Sequence, residues 1–400
     1  MTKLPTNYFI EFLCVAGMIL SYYGYGALTF YIILTGLAII VTKIFNQKIV
    51  FSFSKPFILF IICYFLLRSL HFSLSDIPLG TLLMVLFLGF FQGQVQREQF
   101  ISLYNRVAKF NVFYLFVQIG AKLLFNMALP GVLLFLPLTG GTSEEIDVSQ
   151  FAEIMADRSR FSGFFSEPSH LAAFLLPLIA INIFYKKDYI NVFLFVVAIL
   201  LSKSGVGLVG LVVILVFTCI SRIKSMSARQ IVPILVSSLF LSGAAYFVVS
   251  NGYADDLLDR QEEFDVDNEN SSGFIRVVRG YYIFDMMTTQ DKIIGGSNST
   301  VKSIIDRSPM ASSFARQGDM IYLNFFQRIL IYGGIITAFF FILFYIKELR
   351  ILDPTGKCCI SIFFIISFMS GMNFNAQMLL MLTTAFMFIK KKDSIKKFYV

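Results

Sequence analysis

The chain predicts an all-α polytopic membrane protein with about twelve transmembrane helices and two large extracytoplasmic loops, forming a single integral membrane domain over residues 1–400. Three observations carry this expectation. Only 14% of the 400 residues are charged, where a soluble domain has about 25%. The apolar share is 57% and the mean hydropathy +0.75, and Phe, Ile and Leu gather in runs near the roughly 20 residues that a span requires. Finally, cations crowd the loops of one side and acids those of the other.

The spans follow in order. The first covers 8–22, after an opening stretch with no signal-peptide cleavage site. The second, 27–45, ends among Lys43 and Lys48; the third, 56–74, starts at Lys55. Spans at 77–93 and 107–130 flank Arg97 and Arg106, and a span at 168–185 stops at Lys186 and Lys187. The next apolar stretch, 189–221, is too long for one helix and short for two. The segment Ser202–Gly207 interrupts it, giving spans at 189–202 and 205–221. Such a break either lines a cavity or makes a tight outer hairpin whose Lys203 snorkels. Spans at 231–250, 320–346, 358–373 and 375–390 complete the set, bounded by Arg222, Lys224, Arg229, Lys347, Arg350, Lys357 and Lys390. The bias of these cations puts their side, and both termini, in the cytoplasm.

The other side holds loops at 131–167 and 251–319, with most of the 25 acidic residues and few of the 33 basic ones. The +8 net charge is therefore a matter of topology and implies no nucleic-acid partner. An external site has no cytosolic ATP or nucleotide sugar, so its substrate must arrive activated. The five cysteines lie in apolar stretches without disulfide or metal spacing. Two histidines exclude a His-rich metal centre; His71 and His170, both at span ends, read as packing or hydrogen-bonded groups.

The chemistry concentrates in Arg158–His170. Arg158, Arg160 and Glu167 stand at a membrane surface, a costly place for charge. Arginine forks bind phosphate oxygens and a fixed carboxylate can take a proton. Pro168 suits a first helical turn, which makes a helix-capping carboxylate with snorkelling arginines the plainer alternative. The acidic stretch 254–272 contains Asp265 and Asp267. It departs from a calcium loop, with Asn270 at the turn glycine and Arg276 at the closing glutamate, and reads as a solvated loop. Arg276 and Arg279 share a helical face three residues apart, in a site or as solvated surface charges. Asp319 enters the 320–346 span as a second carboxylate or an N-cap. Arg68, Lys122 and Arg328, in or near spans toward the outer side, are further members for an anionic pocket.

These pieces in this order resemble the superfamily of Wzy-type O-antigen (polysaccharide repeat-unit) polymerases and O-antigen ligases. One family pattern matches Arg160, Gly163, Phe165, Glu167, Pro168, Leu171 and Ala172. A second is an arginine about twenty residues before a glycine turn, here Arg276 with Gly295 and Gly296. A third is a polar pair before Tyr-Leu and then a glycine in the next span, here Asp319, Tyr322, Leu323, Gly333 and Gly334. Ligases tend to carry a histidine near the Asp319 position, which this chain lacks. The Gly-Gly turn, in place of Gly-x-Gly, leaves the register open between Arg276 and Arg279.

The resemblance implies a lipid-linked membrane glycosyltransferase of the GT-C-like class in a bacterial cytoplasmic (inner) membrane, with its active site facing outside. The donor is a glycan on undecaprenyl pyrophosphate and the acceptor a single lipid-linked repeat. The product is a surface polysaccharide, O-antigen or capsule. Glu167, then Asp319, is implied as the base. Arg160 and Arg276, with Arg158, Arg279 and Lys203, are implied to stabilise the leaving pyrophosphate, with no metal and no cofactor. Partners are membrane lipids, a chain-length regulator and a flippase. The alternatives are a ligase transferring glycan to lipid A core, a lipid-linked oligosaccharide flippase or other transporter, and a structural membrane protein. Transporters usually show internal repeats, and none is visible here.

Overall fold

The computed structural model describes residues 6–25, 28–45, 48–70, 79–133, 136–137, 161–223, 278–307, 323–371, 374–390 and 394–399. The chain is mostly helical. The bundle contains α1 (Thr6–Leu20), α2 (Phe30–Ile44), α3 (Lys55–Ser69), α4 (Leu79–Gln94), α5 (Arg97–Phe125), α6 (Pro168–Ile181, continued by a π-turn to Lys186), α7 (Tyr189–Leu201) and α8 (Gly205–Ile223). Three short helices follow, α9 (Arg279–Asp285), α10 (Thr289–Ile294) and α11 (Asn298–Arg307). The bundle closes with α12 (Phe325–Ile351), α13 (Pro354–Ser367) and α14 (Ala376–Phe386). Every expected span has a helix at its place except 231–250, which lies outside the described residues.

Arg97–Phe125, Pro168–Lys186 and Phe325–Ile351 are long and apolar enough to cross a membrane. The other apolar helices are shorter; 15 residues reach about 22 Å against a hydrocarbon core of about 30 Å. Their faces nevertheless suit lipid. On α2 the exposed stripe is Ile33, Leu37, Ile40 and Ile44, while the buried one is Tyr31, Thr35, Ala38 and Thr42. The polar atoms face inward and the aliphatic ones outward, the reverse of a soluble helix.

The all-α expectation needs one amendment. Two small antiparallel sheets cap the bundle: β1 (Gly24–Tyr25) pairs with β2 (Leu28–Thr29), and β3 (Val50–Ser54) with β4 (Ile395–Tyr399). The alternating Val50, Phe51, Ser52 and Phe53 satisfy the period of a strand, and the C-terminal residues supply its partner.

Short local signals set the helix starts. Thr29, Ser54, Asp188, Asp353 and Asn375 each accept a hydrogen bond from a first-turn backbone N–H. Asn324 and Gln327 form a reciprocal capping box on α12. Helix α12 begins at Phe325, later than the expected 320, and breaks at Gly334, whose φ is 71°. The stretch 189–221 resolves into two helices joined by a tight turn with Lys203 at φ 52°. This is the hairpin alternative, and buried Ser202 and Ser204 flank that lysine.

The bundle has two chemically distinct ends. At one, Arg97 donates to the Met387 carbonyl and lies over the Phe388 ring, Lys186 pairs with Glu98, and Lys55 approaches Lys347 and Arg350. This is the basic end. α6 and α14 finish at the basic end, at Lys186 and Met387, so their starts lie at the opposite end. The start of α8 packs beside that of α6 at Ala172, and the start of α12 bonds to Ser370 just after α13.

Candidate functional site at the non-basic end

The segment ahead of α6 is anchored by two polar residues of α5. Gln118 accepts from the Gly163 N–H (2.9 Å) and donates to the Gly163 carbonyl (3.1 Å). Asn111 accepts from the Phe164 N–H (2.9 Å). Gly163 has φ 62°, and a Cβ there would meet Asn111 Oδ1 at 2.9 Å, so glycine is required on two counts. Phe164 stacks on Tyr114 with ring centroids 4.2 Å apart. Phe165 is fully buried against Phe174. The Gly-x-Phe-x-Glu-Pro spacing thus has a mechanical meaning: a left-handed glycine, a buried aromatic anchor, then a carboxylate at the mouth of a proline-started helix.

Glu167 occupies the N-cap position of α6, but its side chain makes no capping hydrogen bond. Instead Ser169 Oγ donates to Glu167 Oε2 at 3.0 Å. Glu167 is half-buried and lies within electrostatic reach of Tyr22. His170 Nδ1 is 2.6 Å from Tyr22 Oη and 3.3 Å from Ser166 Oγ, so this histidine is a hydrogen-bonded group, as the sequence suggests. The capping alternative for Glu167 does not describe its side chain.

Lys203 stands at the same level. Helices α6 and α8 run parallel and touch closely: a Cβ on Gly207 would lie 3.0 Å from Ala172 Cβ, and one on Gly210 would lie 2.3 Å from a Leu176 methyl. Glu167 immediately precedes α6, and Lys203 stands two residues before α8.

The second and third glycine motifs meet in space. A Cβ on Gly295 (φ 93°) would lie 2.3 Å from the Tyr332 carbonyl oxygen, and one on Gly334 would lie 2.2 Å from the Ile293 carbonyl oxygen. Gly296 N–H donates to the Ile331 carbonyl at 2.8 Å. The turn after α10 is therefore seated in the break of α12. A small apolar cluster of Ile283, Met287, Val301, Ile305, Leu323 and Ile331 secures the three short helices there.

That docking buries Arg279, which is 1% exposed at the start of α9. Gly280 follows it and packs on Gln327, where a Cβ would lie 2.5 Å from the side chain. Burial pulls the Arg279 pKa down to about 10, which still leaves it cationic at neutral pH. The alternative of a solvated surface charge fails for Arg279.

Arg328 lies one residue beyond Gln327, and its Nε has no hydrogen-bond partner among the described residues. Arg68 is buried with its guanidinium 4.8 Å from the Tyr332 ring centroid. Arg68 and Arg328 both act electrostatically on Tyr64. Lys122 sits in the last turn of α5. Arg158, Arg160, Arg276, Asp319, Tyr322, His71, Asp265 and Asp267 lie outside the described residues.

Tyr22 gave no signal in the sequence, because its partner His170 is 148 residues away. Asn111 and Gln118 did leave one: two polar residues seven apart fall on one face of an apolar helix.

No protein-family model and no curated protein matches this chain.

Proposed function

We propose that this chain is a polysaccharide repeat-unit polymerase of the Wzy type, with about twelve spans in a bacterial cytoplasmic membrane and its site on the outer face. The observation that carries the reading is the state of Glu167. A carboxylate at the start of a buried helix that makes no capping hydrogen bond and accepts from Ser169 supports a proton-transfer role over a purely helix-capping one.

The end of the bundle that holds Glu167 also favours an anionic leaving group. The helix starts at this end present backbone N–H groups and the positive ends of dipoles. Lys203, Arg279, Arg68 and Arg328 add formal charge. In the reaction, the acceptor hydroxyl oxygen bonds to the donor's anomeric carbon while the bond from that carbon to the pyrophosphate oxygen breaks. Glu167 takes the hydroxyl proton. The pyrophosphate departs with the bonding electrons, and the arginines, with Arg160 and Arg276 among them, neutralise its charge. Asp319 is the second choice for the base.

The test is the lipid-linked glycan profile of a deletion strain, followed by reconstitution with lipid-pyrophosphate-linked single repeats. Loss of long chains with single repeats still exported and attached supports the reading. Accumulated polymer that is never attached would identify a ligase, and repeats trapped inside the cell a flippase.

A further inference from the structure

The basic end carries a separate feature that the polymerase reading does not use. The start of α3 and the last turns of α12 flank an open cavity of about 420 Å³. Lys55, Lys347 and Arg350 line it on the polar side, and Pro56, Leu59 and Ile351 on the apolar side. Ser394, just before β4, closes one edge.

Among the described residues these cations have no acidic counterpart in the lining. Among the described residues none of the three pairs with a carboxylate; the ion pairs involve Lys186 with Glu98 and Lys292 with Asp285. The adjacent acid, Glu348, is fully buried, and Ser54 donates to it. Three like charges around one cavity repel one another, and an anion seated among them would remove that repulsion.

The cavity also opens onto apolar rails. From it, α3 presents exposed Leu59, Ile62 and Leu66, and α12 presents exposed Ile346, Ile342, Phe339 and Ile335. These two helices pack along each other, so their stripes run side by side from the cations toward the middle of the bundle. Next to the cavity, β4 exposes Lys396, Lys397, Phe398 and Tyr399. A basic and aromatic composition of this kind belongs at a membrane interface.

We propose that this cavity binds the phosphate of an anionic phospholipid, whose acyl chains lie along the α3 and α12 stripes. A soluble phosphate ester shares the headgroup chemistry, but it has no use for apolar rails continuous with the cationic cavity.

The experiment is native mass spectrometry of the full chain released from bilayer nanodiscs of phosphatidylglycerol and phosphatidylcholine. Wild type should retain phosphatidylglycerol selectively. Each cation near a headgroup contributes about fivefold, so the K347Q/R350Q double variant should bind about 30-fold more weakly. The charge-keeping double variant Lys347→Arg/Arg350→Lys should retain binding. Lys55→Gln on the facing wall should lose about fivefold, and it provides the reading if the double variant does not fold.

Equal retention by wild type and both loss variants would overturn the proposal. So would an equal loss in a Lys43→Gln/Lys48→Gln control, which would show bulk charge alone. Indifference between the two lipids overturns headgroup recognition, and complete displacement by millimolar glycerol phosphate assigns the site to a soluble ester instead.

Discussion

At the scale of single residues, the side chain of Glu167 separates a proton-transfer role from a structural one. Glu167→Gln keeps the shape and can still meet Ser169, since Ser169 donates to the oxygen. It removes the proton acceptor and the charge. General-base loss costs about 10²–10⁴ in rate, so Glu167→Gln should accumulate normally, bind lipid-linked repeats and fail to extend them. Near-normal chain lengths from Glu167→Gln, with Asp319→Asn inactive, would move the base to Asp319. Arg279 gives a second prediction. Because it is buried, Arg279→Ala should impair chain extension strongly, and Arg279→Lys should recover little of it. Lysine retains the charge but not the planar fork that fills the buried position beside Gln327. Full activity of Arg279→Lys in a polymerisation assay would reduce this residue to a point charge.

At the scale of elements, the decisive feature is the seat of the α10 turn in the break of α12. Two glycines with positive φ face each other's backbone across it. A residue with a β-carbon at Gly334 would have to adopt φ 71° and ψ −178°, a conformation essentially confined to glycine that costs about 1–3 kcal/mol, and the β-carbon also meets a carbonyl oxygen. Gly334→Ala should therefore lower thermal stability by about 2 kcal/mol or more and loosen α9 to α11 together. Limited proteolysis between residues 278 and 307 would detect the loosening. Unchanged melting and protection would show that the turn is not seated on the helix in the working protein. The loop before α6 follows the same logic with different parts. There Gln118 spans four backbone groups, the N–H and carbonyl of Gly163 and the carbonyls of Leu129 and Pro130, so one side chain of α5 fixes where Glu167 emerges.

At the scale of the whole molecule, the two ends differ in chemistry. The basic end closes through Arg97 on the Met387 carbonyl, Lys186 on Glu98 and the β3–β4 sheet. The other end gathers helix starts, Glu167, Lys203 and the buried arginines. This division predicts a topology that reporter fusions can read: residues 145 and 265 external, residues 226 and 395 cytoplasmic. A cytoplasmic signal at 265 would put Arg276 and Arg279 in the wrong compartment and remove the polymerase reading altogether.

The sequence by itself determined the helices and the composition of the site. Apolar runs bounded by cations mark where helices lie, because a lipid-facing helix needs an unbroken aliphatic stripe; Pro168 marks the start of α6, because a missing N–H costs nothing in the first turn. The arginine, glutamate and glycine motifs were visible for the same reason, since each departs from an otherwise apolar background. Only the tertiary structure decided how the described ones among them are packed and bonded. Glu167 occupies an N-cap position in any reading of the sequence, but the side chain's release from capping depends on Ser169 and on the loop that Asn111 and Gln118 hold. Arg279 looks like a surface charge on an amphipathic segment until α9 docks beside Gln327. Gly295 and Gly334 look like two unrelated flexible points, 39 residues apart by their numbering. Close approach of two backbones leaves no trace in either segment alone, because the contact is made by atoms that every residue shares; what the sequence records is only the absence of the side chains that would have prevented it.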